Sequence, residues 1–172
     1  ITGGTGWVGR LAARWLMVHG AEHVVLTSRQ GQAAPGAAEI ADSLRALGVP
    51  VTVVAADVGD RASMAALVER IDAELPPLRV VFHAAGAAGS APIRDLESAD
   101  IASVLRPKVD GTLVLEELTR GRELDALVCF SSISALWGGA GLGAYAAGNA
   151  FEDAWAQKQR LLGRPAVSIN WG

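Results

Sequence analysis

Five short runs of aliphatic and β-branched residues constrain this chain more than anything else in it: HVVLTS (23–28), VPVTVVAAD (49–57), LRVVFHAAG (78–86), LDALVCFSS (124–132) and AVSIN (166–170). Near-continuous Val, Ile and Leu leave no polar face along a strand, so such strands must be buried on both sides, as in a parallel sheet flanked by helices. The stretches between them, 7–19, 36–47, 61–75, 98–119 and 145–162, carry apolar residues at helical spacing. This alternation predicts an α/β fold, a doubly wound parallel sheet with helices on both faces. Pro50, Pro76, Pro77 and Pro165 fall at element boundaries, where the missing N–H costs least. No internal repeat, low-complexity segment or linker divides the 172 residues; 51% of them are hydrophobic, enough for one domain around one core. The stretch RQGQAAPGAAE, rich in small residues, reads as an exposed loop.

A net charge of −3 and no run of Lys or Arg give no field for a phosphate backbone, so no nucleic acid is expected as a partner. No apolar stretch approaches the ~20 residues of a membrane span, and no signal peptide opens the chain. No membrane contact and a cytoplasmic setting are the default expectation. Cys129, the one cysteine, lies in an apolar run and reads as a small core residue that makes no internal disulfide. The chain opens on ITGGTG, which reads as the end of a strand, and stops at SINWG. The expectation is therefore a piece truncated at both ends.

Chemistry first shows in TGGTGWVGR (2–10), where Gly4, Gly6 and Gly9 have the spacing G-x-G-x-x-G. Glycines let the backbone turn tightly and approach a pyrophosphate, whose charge then meets the free N–H groups of a helix N-terminus. The setting fits a Rossmann-like strand, turn and helix, because Ile1 can end a strand and WVGRLAARWLMVHG opens an amphipathic helix. After the next strand, where a NAD site would carry an acid, stand Ser28 and Arg29. A guanidinium beside a hydroxyl suits a 2′-phosphate, which favours NADPH. Asp57 is placed either to accept from an adenine amino group or, like Asp60, to cap the next helix. HAAG (83–86) offers small residues to a flat cofactor, with His83 read as structural.

Tyr145 is the only tyrosine; it opens a helix after a glycine-rich loop, and Asn149 follows one turn later. The chain resembles the short-chain dehydrogenase/reductase superfamily. Ordinary members place lysine four residues after the tyrosine and asparagine on an earlier helix, whereas here Asn149 stands at that place and Lys108 lies upstream in LRPKVDG. With GGTGWVG, SRQG, ADVGD, HAAG, RPKVDGT, FSSISALWGG, YAAGNAF and SINWG in order, the chain is similar over its whole length to the ketoreductase domain of modular polyketide synthases. The resemblance matches the catalytic half of such a domain, residues 1–172; the family's preceding pseudo-reductase subdomain and the substrate lid after NWG are not in the sequence. It implies catalytic roles for Tyr145, Ser132, Lys108 and Asn149, with Ser132 preferred over Ser131 as the second of the FSS pair. It implies an NADPH site built from Thr2, Gly3, Gly4, Thr5, Gly6, Gly9, Ser28, Arg29, Asp57, Val58, Ala84, Ala85 and Gly86, and no metal.

The chemistry of ketone reduction agrees with these residues. A proton must reach the oxygen as its charge develops, and a phenol gives one more readily beside a cation. Tyr145 is the acid, Lys108 the cation from a neighbouring helix, and Ser132 the group that aligns the carbonyl. Tyr145 and Asn149 share a helical face, which sets the amide to orient Lys108 or a water. Trp137, eight residues before Tyr145, together with the lack of Leu-Asp-Asp in HAAGAAGSAPIRDLE, resembles the A type, which gives the L-configured alcohol. Leu142 stands where the subtype that reduces epimerised substrates has histidine, so that subtype is not expected. The implied substrate is a β-ketoacyl chain on the phosphopantetheine arm of an acyl carrier protein, and the implied partners are other synthase domains of the same polypeptide. Two alternatives stand: a free-standing 3-oxoacyl reductase, disfavoured by the exchanged Lys108 and Asn149, and a redox-silent or epimerising domain, disfavoured by intact Tyr145, Ser132 and Lys108.

Overall fold

The computed structural model describes residues 1–87 and 89–172. Ala88, inside the stretch read for the absence of Leu-Asp-Asp, lies outside the described residues.

The five apolar runs form the strands β1 (Val24–Ser28), β2 (Val51–Ala55), β3 (Val80–His83), β4 (Ala126–Ser132) and β5 (Ala166–Trp171). All pairings are parallel: Val24 opposite Val51, Val80 opposite Ala126, Leu127 opposite Ala166. Between β1 and β3 runs the N-terminal segment. Thr27 N–H donates to Ile1 O and Gly4 N–H to Thr27 O on one side, while Thr2 N–H donates to Phe82 O and Ala84 N–H to Thr2 O on the other. The spatial order is therefore β2, β1, residues 1–4, β3, β4, β5, which is the order of a Rossmann sheet whose central strand is the N-terminal segment.

Helices α1 (Trp7–Val18), α2 (Ala37–Arg45), α3 (Arg61–Glu74), α4 (Ser98–Thr119), α5 (Ser134–Trp137) and α6 (Gly143–Leu161) connect the strands. Strand residues alternate between two cores. Val81, Leu127 and Cys129 pack with Met64, Leu67, Leu115 and Trp155 of α3, α4 and α6, while Val24, Leu26 and Val53 pack with Ala13, Met17, Ile40 and Leu44 of α1 and α2. The second face is less completely covered than the apolar pattern predicts. Over it Phe82 and Val128 are buried against Ala12, but on β5 Val167, Ile169 and Trp171 remain 45%, 37% and 43% exposed.

Several boundaries differ from expectation. β2 begins after Pro50, which has no N–H to offer the ladder, and β3 ends at His83, after which the Ala84–Ala85 peptide lies against Gly3 of the glycine-rich loop. α6 begins two residues early, at Gly143, and the four-residue α5 is a new element. A cavity of about 650 Å³ opens at the amino ends of β1 and β3, lined by Val24, Val80, Leu67 and Leu115. Among the described residues no helix is long and apolar enough to cross a membrane.

Candidate active site

The chain leaves the central segment for β1 and β2 on one side and β3 to β5 on the other. In an open parallel sheet the ligand crevice lies beyond the carboxyl ends of the strands at that reversal, at the opposite end from the 650 Å³ cavity. The glycine-rich loop lies at the crevice, with Gly3, Gly4 and Gly9 packed closely against their neighbours. Gly3 has a φ of 66°, and a Cβ on it would stand 2.5 Å from Ala84 O. At Gly4 a Cβ would stand 2.8 Å from Leu26 Cβ, and at Gly9 2.4 Å from Gly3 O. Gly6 caps α1 without a side chain, and the first turn holds no acid, so its N–H groups face no side-chain acceptor. Free N–H groups at a helix start can receive a phosphate.

Not every expected cofactor residue presents a side chain to the crevice. Thr5 is half-buried and free to face it, but Thr2 is buried, with Oγ1 hydrogen-bonded to His83 Nδ1 at 2.7 Å. Val58 is a core residue that packs against Gly111, leaving only its backbone available. Ala84 and Ala85 are half-buried and Gly86 is exposed, with room for the Lys108 stem beside it. Arg29 is exposed, and Ser28 Oγ accepts from Gly31 N–H at 3.0 Å while its own proton stays available to a ligand. Asp60 caps α3 by accepting from Ser63 N–H, whereas Asp57 accepts from Gly59 N–H and pairs with Arg106 at 3.2 Å.

Lys108 sits inside α4 next to Pro107 and is 3% exposed. Its Nζ donates to Phe130 O at 3.0 Å and to Glu152 Oε2 at 2.8 Å. Gly148 lets α6 close on this side chain, since a Cβ there would meet Lys108 Cβ at 3.3 Å. Behind the pair, His83 Nε2 lies 3.5 Å from Glu152 Oε1, with both side chains fully buried. Burial, helped by the Lys108 charge, pushes His83 down to about 3, so the ring is neutral. Burial pushes the Glu152 carboxyl up to about 7 against the opposing pull of Lys108. Cys129, also fully buried, has its thiol pushed well up by burial and is a core residue rather than a nucleophile.

On α6 Tyr145 is half-buried in the first turn and Asn149 is fully buried. Asn149, expected to orient Lys108 or a water, donates from Nδ2 to Tyr145 O rather than directly to Lys108, and its Oδ1 has no partner among the described residues. The two serines separate clearly. Ser131 is buried and donates to Asn149 O, while Ser132 is half-buried at the strand end with Oγ accepting from Ser134 N–H. Trp137 ends α5 at 83% exposure, so it is no part of the core. Leu142 is half-buried at the start of α6, against Gly139. Ala91 N–H bonds Gly141 O, which ties the loop after β3 to the loop before α6 across the crevice.

The structure thus combines a glycine-rich loop at the uncapped start of α1, half-buried Tyr145 and Ser132, and a buried Lys108 bonded to α6, the helix that carries Tyr145. The residue missed in the sequence is Glu152. Its signal is periodic: Gly148, Asn149, Glu152, Trp155, Ala156 and Gln159 form the buried stripe of α6, so the glutamate falls on the inward face.

Residues 1–172 match the family model described as KR domain. The chain is 47% identical over 172 residues to the pikromycin polyketide synthase component PikAIII of Streptomyces venezuelae, matching all of this chain and 11% of that protein. It is 50% identical over 173 residues to polyketide synthase GfsA of Streptomyces halstedii, again over its whole length but only 2% of that protein. Among solved structures it superposes with a TM-score of 0.93 and 48% identity on one described as A-type ketoreductases from a modular polyketide synthase, covering 99% of this chain and 36% of that one.

Proposed function

This chain belongs to the KR domain family, the ketoreductase domains of modular polyketide synthases, and from that premise we propose that residues 1–172 are the NADPH-binding, catalytic part of such a domain. The proposed reaction is reduction of a β-ketoacyl thioester on an acyl carrier protein to the β-hydroxyacyl product during polyketide elongation. The observation that carries the reading is the desolvated Lys108 ammonium, 3% exposed and bonded to α6, the helix that bears Tyr145.

The residues fit a dinucleotide. The loop of Gly3, Gly4, Gly6 and Gly9 would seat the pyrophosphate at the uncapped start of α1, and Arg29 with Ser28 would take the 2′-phosphate. When bound, NADPH supplies the hydride. The Ser132 hydroxyl orients the ketone, and Tyr145 gives its phenolic proton to the oxygen as charge develops there. Lys108 stabilises the phenolate that remains, an electrostatic effect made stronger by its exclusion from water. Asn149 fixes the first turn of α6 through its bond to Tyr145 O, which is a positioning role. Trp137, exposed at the crevice edge, is the surface for the phosphopantetheine arm and the determinant of the L-alcohol.

The deciding experiment follows NADPH oxidation on a small β-keto thioester by the full-length protein, with chiral analysis of the product. Consumption of NADPH with mainly L-alcohol is expected. NADPH binding without turnover would favour a redox-silent domain, and mainly D-alcohol would remove the assignment of Trp137.

A further inference from the structure

We propose that Glu152 is a positioning residue of the reduction site, holding the Lys108 ammonium against α6 and linking it through His83 and Thr2 to the glycine-rich loop. The inference rests on the reading of Lys108 as the cation beside Tyr145. An ammonium that is 3% exposed needs a countercharge, and the carboxylate at 2.8 Å is Glu152, itself fully buried. Glu152 stands three residues after Asn149 and seven after Tyr145, so the phenol, the amide and the carboxylate occupy one stripe of α6. The other carboxylate oxygen lies 3.5 Å from His83 Nε2, and neither atom has a hydrogen-bond partner among the described residues. A proton on Oε1 would satisfy both at once, because the neutral ring can accept it. Ionised Glu152 therefore holds Lys108, and protonated Glu152 turns to His83 and leaves Lys108 with Phe130 O alone. The groups that face Glu152 are Lys108 on α4, His83 on β3, Cys129 on β4 and Asp153 on α6 itself.

In this arrangement reduction needs Glu152 ionised, so the rate falls on the acid side as the carboxyl takes up a proton. The raised pKa noted above puts that limb near neutrality rather than in the usual carboxylate range.

The test is Glu152→Gln in the full-length protein, with kcat and KM for a β-keto thioester measured across pH and NADPH affinity measured by fluorescence titration. The expected result is a kcat about 10–100-fold lower at alkaline pH, as for a misplaced catalytic group, with KM little changed and the acid limb lost. Glu152→Asp, which keeps the charge on a shorter arm, is expected to restore part of the rate and the limb, and it serves alone if the glutamine variant does not fold. A glutamine profile that superimposes on the parent, a lower rate with the acid limb intact, or a parental rate that rises on acidification would each overturn the proposal. A parent that neither binds NADPH nor reduces ketone would instead overturn the underlying reading, and this inference with it.

Discussion

Tyr145 and Arg29 differ in what surrounds them, and their predicted substitutions differ accordingly. Tyr145 is half-buried in the first turn of α6, so Tyr145→Phe keeps the ring packing and removes only the acidic proton. The variant should bind NADPH as the parent does and lose roughly 10²–10⁴ in rate; near-parental turnover would show that another group is the acid. Arg29 is exposed, and Arg29→Asp should repel a 2′-phosphate while accepting a ribose hydroxyl. The ratio of kcat/KM values for NADPH and NADH is expected to shift toward NADH, and an unchanged ratio would mean that Arg29 faces solvent. Tyr145, Arg29 and Ser132 are legible in the sequence because each sits at a strand end or helix start, and Lys108, inside α4, because the chemistry of the phenol calls for a cation. Glu152 is not, because a glutamate next to an aspartate in FEDAW reads as a solvated face until α6 is seen to turn it inward. The resemblance implies cofactor contacts for Thr2 and Val58, whose side chains are both buried in the interior.

At the scale of elements, the alternation of strands and helices is legible because buried parallel strands have no polar periodicity to confuse with a helix. The ends are less so. Local backbone demands decide them, such as Pro50 ahead of β2 and the close approach of the peptide after Ala84 to Gly3. The loop between the central segment and α1 carries its own prediction. A methyl group at Gly9 would stand 2.4 Å from Gly3 O and 2.7 Å from Gly4 Cα, distances that backbone cannot accept. Gly9→Ala must therefore push α1 away from the loop. NADPH affinity is expected to fall by more than about tenfold, a loss of roughly 1.4 kcal/mol or more, together with a lower melting temperature; unchanged affinity by fluorescence titration would mean that the loop does not seat the dinucleotide.

For the whole molecule, two buried groups set opposite pH dependences of stability. His83 is depressed from 6.5 to about 3, so its contribution is present above the unfolded value and is lost as pH falls from about 6.5 toward 3. Glu152 is raised from 4.5 to about 7, so its contribution is present below about 4.5 and is lost as pH rises toward 7. Between about 4.5 and 6.5 the two slopes oppose. His83→Gln removes one of them, and its melting temperature should decline with rising pH through that window while the parent changes less; parallel curves would show that His83 does not resist protonation. The global strand order was implicit in the sequence, since the apolar runs and the turn after Ile1 allow a Rossmann sheet, but the thin cover over β5 was not, because an apolar strand reads the same whether or not a helix lies on it. Residues 1–4 unite the two halves of that sheet through backbone hydrogen bonds to β1 and to the end of β3, and then enter the loop proposed to seat the phosphate. The seam that keeps the protein in one piece is thus also the place where a dinucleotide would act as a splint, and slower hydrogen exchange at the Thr27 and Ala84 amides would register the loading of that loop before any substrate arrives.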